Sequence, residues 1–217
     1  MQINIPIQIH PMINCKVQPY KSIWVWADSQ EELGLTFMRF QEYYESANPD
    51  FRGKIFTLGQ LRRWYSETYG ANNYHTTWIG FNLPSSVLIP FREGLFDPLT
   101  LEEQRLLELF RYRNDNFYII GAQNNSTLRH ELSHALYASN DNYRSEINKF
   151  LNKNKSKLKT TSKYILDKGY CEDVLYDEIQ AYITDNDDNQ LINNTCPTII
   201  AGINKIYNKY NTEKVKK

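Results

Sequence analysis

Thr127-Leu-Arg-His-Glu-Leu-Ser-His-Ala-Leu-Tyr-Ala138 is the stretch from which the rest of the chain can be read. Its spacing predicts a helix over 127–139. Leu128, Leu132 and Leu136 recur at i, i+4 and i+8 as an apolar stripe, and Ala135 and Ala138 allow a neighbour to pack closely beside it. His130 and His134 stand one turn apart on another side, so both imidazoles can reach one point in space. Glu131 lies on the adjoining edge. Histidine is rare, with four in 217 residues, so His-Glu-x-x-His is not a by-product of composition. Two imidazoles at this spacing can share a zinc ion. Zinc lowers the pKa of water towards about 7, and a carboxylate beside it can take the proton.

The segment before the motif mixes strands and helices. Ser22–Ala27 (SIWVWA) is β-branched and aromatic and reads as a strand. Ser29 with Glu32, Thr57 with Gln60, and Thr100 with Glu103 have capping-box spacing and open three helices. Segments 77–81 and 87–91 read as short strands separated by the turn residues Asn82, Pro84 and Ser85, and 117–122 (FYIIGA) reads as another. Ile3, Ile5, Ile7 and Ile9 alternate with other residues and suggest a strand or arm. After the motif everything reads as helical: 142–151, 160–168 with Gly169 as a stop, 172–184 and 197–210. The expectation is one α+β domain over 1–217. Its α/β half, residues 1–125, holds a small mixed sheet; the active-site helix follows, within an all-helical half over 126–217.

Two histidines leave a zinc site short of a protein ligand. Glu178 is the candidate, since it begins a stripe with Ala181, Tyr182 and Asp185 on a helix otherwise built for burial, and a buried carboxylate needs a partner. Asp177, Glu172, His10 and His75 are the alternatives. Asp185 reads either as a support for a ligand histidine or as a solvated helix end. With these residues in place the chain resembles the zincin metallopeptidases, and among them the gluzincins, in which a glutamate from a later helix completes the His-Glu-x-x-His site. His130-Glu131-Leu132-Ser133-His134 matches the first motif, and Asp177-Glu178-Ile179-Gln180-Ala181-Tyr182 is similar to the second. The long separation between them is like that in the anthrax lethal factor-like and Pro-Pro endopeptidase group. That likeness implies a metal-facing tyrosine ahead of the third-ligand helix. Tyr170 occupies that place, with Tyr176 and Tyr182 as alternatives. The resemblance covers 127–185 and implies a zincin-like fold, zinc held by His130, His134 and Glu178, and catalysis by Glu131 and Tyr170 on a protein or peptide substrate. It also implies a substrate laid along a sheet edge; 117–122 is the favoured strand and 87–91 the second.

Composition bounds the function. Twenty-five basic residues balance twenty-five acidic ones, which argues against nucleic acid or an anionic membrane as partner. There is no apolar run of spanning length. The start has no Lys or Arg ahead of an apolar run, and Cys15, Cys171 and Cys196 form no disulfide framework. The expected location is therefore cytoplasmic, with secretion by another route left open. Competing with a peptidase are a regulatory or binding protein on a zincin fold, with zinc structural or lost, and a zinc hydrolase of non-peptide substrates.

Overall fold

The computed structural model describes residues 13–185 and 188–211; the expected arm at 1–12, with His10, lies outside them. The chain is mixed α+β, with a four-stranded sheet in its first half and helices after it. The strands are β1 (Ile13–Gln18), β2 (Ser22–Ala27), β3 (Gly80–Pro84) and β4 (Tyr118–Ala122), in the order β1-β2-β4-β3. β2 and β4 run parallel, and the outer pairs are antiparallel. The helices near the sheet are α1 (Gln30–Glu45), α2 (Leu58–Tyr69), α3 (Tyr74–Thr77), α4 (Ile89–Arg92) and α5 (Leu101–Leu109). The later ones are α6 (Asn125–Ser139), α7 (Asp141–Lys153), α8 (Lys159–Asp167), α9 (Leu175–Asp185), α10 (Asn189–Asn194) and α11 (Pro197–Tyr210).

Strand alternation divides the sheet into two faces. Ile23, Val25, Phe81, Leu83 and Ile119 join one core cluster with Leu33, Phe37 and Phe40 of α1. Gly121 faces the same way, and a Cβ there would lie 2.7 Å from the Phe37 ring. Trp24, Tyr118, Ile120 and Ala122 face the other way and pack against Leu128, Leu132 and Ala135 of α6. Leu136 continues that helix into a third cluster built from α7, α8, α9 and α11. α6 is therefore wedged between sheet and helices by the expected stripe, which leaves its histidine side for the chemistry. α1 is fixed from behind by the buried Arg39–Glu103 ion pair, with Arg39 also donating to Phe96 O at 2.9 Å.

The capping boxes at Thr57 and Thr100 form in full, and Ser29 caps α1 by accepting from Glu32 N–H. Three expectations change. Segment 87–91 is not a strand but a 3-10 turn, Ser85–Leu88, running into α4. Pro90 has no N–H to give a ladder but suits the first turn of a helix. Segment 77–81 ends α3 and only enters the strand, which extends over Gly80–Pro84 instead. Ser85 N–H bonds to Phe117 O, so alternation turns the odd residues of β3 towards β4 and the even ones to the free edge. Pro84 thus costs no ladder bond. Third, 117–122 lies inside the sheet between β2 and β3. Both its edges are paired, so it cannot take a substrate strand; the edge beside α6 that no strand pairs belongs to β3, where Asn82 N–H donates to Gln41 Oε1 at 3.4 Å.

Candidate metal centre

α6 starts at Asn125, with the Asn124 side chain accepting from Thr127 N–H. α9 packs along it. The crossing is close because it is made by a small residue: Ser133 Oγ lies 2.8 Å from Thr184 Oγ1, and Gln180 Nε2 donates to Ser133 O at 3.3 Å. This packing brings Glu178 to the histidines. One ligand atom from each of His130, His134 and Glu178 lies within 4.8 Å of the others. The two Nε2 atoms are 3.2 Å apart, and Glu178 Oε1 is 3.7 Å from His134 Nε2.

The far side of each ring meets a carboxylate. His134 Nδ1 is 2.9 Å from Asp177 Oδ1, and His130 Nδ1 is 3.4 Å from Asp185 Oδ2. A carboxylate on Nδ1 favours the tautomer whose Nε2 lone pair faces inward, the arrangement typical of metal-binding histidine. Asp185 thus supports a ring and is not a solvated helix end. Asp177 also supports a ring and is not a third ligand. Gln180 holds Asp177 at 2.9 Å and in turn accepts from the Tyr143 hydroxyl at 2.7 Å. Glu172 sits in a 3-10 turn, Glu172–Val174, ahead of α9 and outside the cluster. His75 pairs with Glu31 at 3.6 Å, away from the motif.

The donor set fits a divalent cation. Glu178 is buried, and its Oε2 has no hydrogen-bond partner. Burial pushes its carboxyl up to about 7, against the pull of His134 and His130. Burial also opposes charge on His134, but Asp177 and Glu178 outweigh it and hold the ring well above its usual range. Two imidazole nitrogens converge with a buried carboxylate that has one unpartnered oxygen, a donor set that a cation there would bind and balance.

Glu131 is buried beside this group, and its Oε2 accepts from Asn82 Nδ2 at 2.8 Å. The Tyr118 hydroxyl donates to Asn82 Oδ1 and fixes the amide. Oε1 lies against Gly80, where a Cβ would come within 2.1 Å of it. Asn82 and Gly80 therefore orient the carboxylate, and neither stands out in the sequence. Tyr170 also lines the cleft. Its hydroxyl is 3.2 Å from that of Tyr182, whose ring packs edge-on to His130. Tyr176 bonds Asn152 instead, on the surface.

Fold and site together define a mixed α+β chain with a largely buried His-His-Glu cluster and a separately anchored carboxylate beside it, in a cleft. Compared with protein-family models, curated proteins and solved structures, the chain matches none.

Proposed function

We propose that the chain is a zinc-dependent metallopeptidase with a zincin-like fold of the gluzincin type. The observation that carries this reading is that one cleft holds both a convergent His130–His134–Glu178 donor set and a separately anchored Glu131. A purely structural metal site has no use for an extra carboxylate held by Asn82. Zinc in this site would supply a Lewis acid that acidifies water and polarises a carbonyl. Glu131 takes the proton from water and passes it to the leaving amine, with Asn82 keeping one oxygen fixed and Oε1 free to act. Asp177 and Asp185 hold the rings by their Nδ1 sides. Tyr170 donates its hydroxyl to the oxyanion that develops on the scissile carbonyl. An extended peptide adds to the outer edge of β3, where alternation turns the backbone groups of Gly80 away from β4, next to Glu131.

The test pairs elemental analysis with a proteome-derived peptide library. About one zinc per chain and cleavage that Glu131→Gln abolishes are expected. A chain that takes up no zinc ends the proposal at its first step. Zinc uptake without cleavage of any peptide moves the function to a non-peptide hydrolase or a binding protein.

A further inference from the structure

The cleft that holds the metal cluster has a further lining, its second arm, that the chemistry above does not use. It is walled by Glu42 and Glu45 near the end of α1 and by Trp64, Tyr65, Tyr74 and Trp78. Four carboxylates, Glu42, Glu45, Glu131 and Glu178, face this cavity, and among the described residues no lysine or arginine does. A divalent metal offsets only two negative charges. The arrangement is costly in three ways. Glu42 is only 7% exposed. It and Glu45 occupy the last turn of α1, which contains no basic residue, so both sit at the negative end of the helix. Glu45 also shares this cavity with the like-charged Glu131 and Glu178 carboxylates, with the Gln41 amide donating to its Oε1.

Two polar atoms in these walls point to a missing ligand. Glu42 draws on the Ser46 and Tyr74 hydroxyls, yet its Oε2 is buried with no hydrogen-bond partner. Trp78 Nε1, a donor, is buried without one as well. An acceptor and a donor left open within an aromatic wall suit a group that is cationic and carried on a peptide: the cation for Glu42 and the ring faces, and a carbonyl for the indole N–H.

We propose that this arm is a subsite for a cationic group of the substrate next to the scissile bond, held by Glu42 and Glu45. The group is an ammonium or guanidinium, from a lysine or arginine side chain or from a free α-amine. This inference rests on the peptidase reading and names the substrate class for that same site. The cation restores the charge balance of the arm, and the aromatic walls exclude water and strengthen the pairing.

The test measures binding and cleavage separately. Alanine-based peptides carrying one arginine, moved position by position, are titrated into the zinc-loaded full chain bearing Glu131→Gln, against the same peptides with citrulline. Citrulline keeps the shape and removes the charge. At one position arginine should bind about tenfold to a hundredfold more tightly. Glu42→Gln, and separately Glu45→Gln, should bring that ratio towards one; either variant suffices if the other fails to fold. N-acetylation distinguishes the sources: if the α-amine is the bound group, arginine and citrulline peptides bind alike and acetylation weakens both, whereas a side-chain cation keeps its preference after acetylation. Equal binding of arginine and citrulline peptides that N-acetylation does not weaken, or binding of neither, overturns the subsite, as does a preference that both glutamine variants retain. Cleavage is then read with the parent chain. Selective binding without hydrolysis would overturn the peptidase reading and leave the subsite standing; hydrolysis indifferent to charge would do the reverse.

Discussion

Glu131 is oriented from the sheet face on which α6 packs, by an asparagine 49 residues earlier in the chain. That contact separates what it does from what the metal ligands do. Glu131→Gln keeps the shape and an acceptor oxygen for Asn82, so zinc uptake should persist while hydrolysis falls by roughly 10²–10⁴-fold or more. A variant that cleaves as fast as the parent would remove Glu131 from the base role. Asn82→Ala leaves the base present but loosens it, and should cost about 10–100-fold in kcat with zinc content unchanged. Loss of zinc in Asn82→Ala would mean that the asparagine supports the metal cluster instead. Tyr170→Phe should lower turnover by roughly tenfold to a thousandfold and leave zinc affinity nearly unchanged. An unchanged rate would hand the role to Tyr182, whose hydroxyl is 3.2 Å away. His130, Glu131 and His134 are legible in the sequence because helical periodicity alone brings them to one side, and Glu178 because a carboxylate on a helix patterned for burial needs a partner. Asn82, Gly80 and the ring-holding role of Asp177 are not legible, because each depends on a partner from another element.

Among the elements, a similar contrast separates helices from strands. The helices announce themselves through local signals, namely three caps, the leucine stripe of α6 and the Gly169 stop. β3 does not, because its Asn82 and Pro84 are turn formers by local chemistry and become strand residues only through pairing with β4. β1 is equally hidden, since four of its six residues are exposed and its pattern lacks clean alternation. The stripe of α6 offers a direct check. Leu132 packs in the cluster between α6 and the sheet, and Leu132→Ala should destabilise by about 2–5 kcal/mol through lost burial and a residual cavity. The helix also carries the ligands, so zinc affinity should fall with stability. Measured by urea unfolding, a loss under about 1 kcal/mol would mean that α6 is held chiefly by its contacts with α9.

Across the molecule, no described helix is long and apolar enough to cross a membrane, and the fold is instead closed around a group of buried charges. Glu178 carries the consequence. Its carboxyl is pushed up from 4.5 to about 7 by burial. A carboxyl raised in the folded state favours folding fully below its unfolded pKa, and that contribution is lost as pH rises through the folded value. His134 is raised too, so its contribution disappears in the same direction. Through Glu178 the metal-free protein should therefore lose stability between about pH 4.5 and pH 7, by about 2–3 kcal/mol, with the His134 contribution lost at higher pH. Glu178→Gln cannot ionise and should escape that share of the loss. In chelator the variant should match the parent near pH 5 and exceed it at pH 8. Zinc should reverse the order: it binds the folded parent, raises its melting temperature by linkage, and binds a neutral amide poorly. Melting curves of both proteins at the two pH values, with chelator and with zinc, give the comparison. Parallel curves in chelator would mean that Glu178 is not a strained buried charge. Equal stabilisation of parent and variant by zinc would remove Glu178 from the metal, leaving His130 and His134 to bind it without that carboxylate.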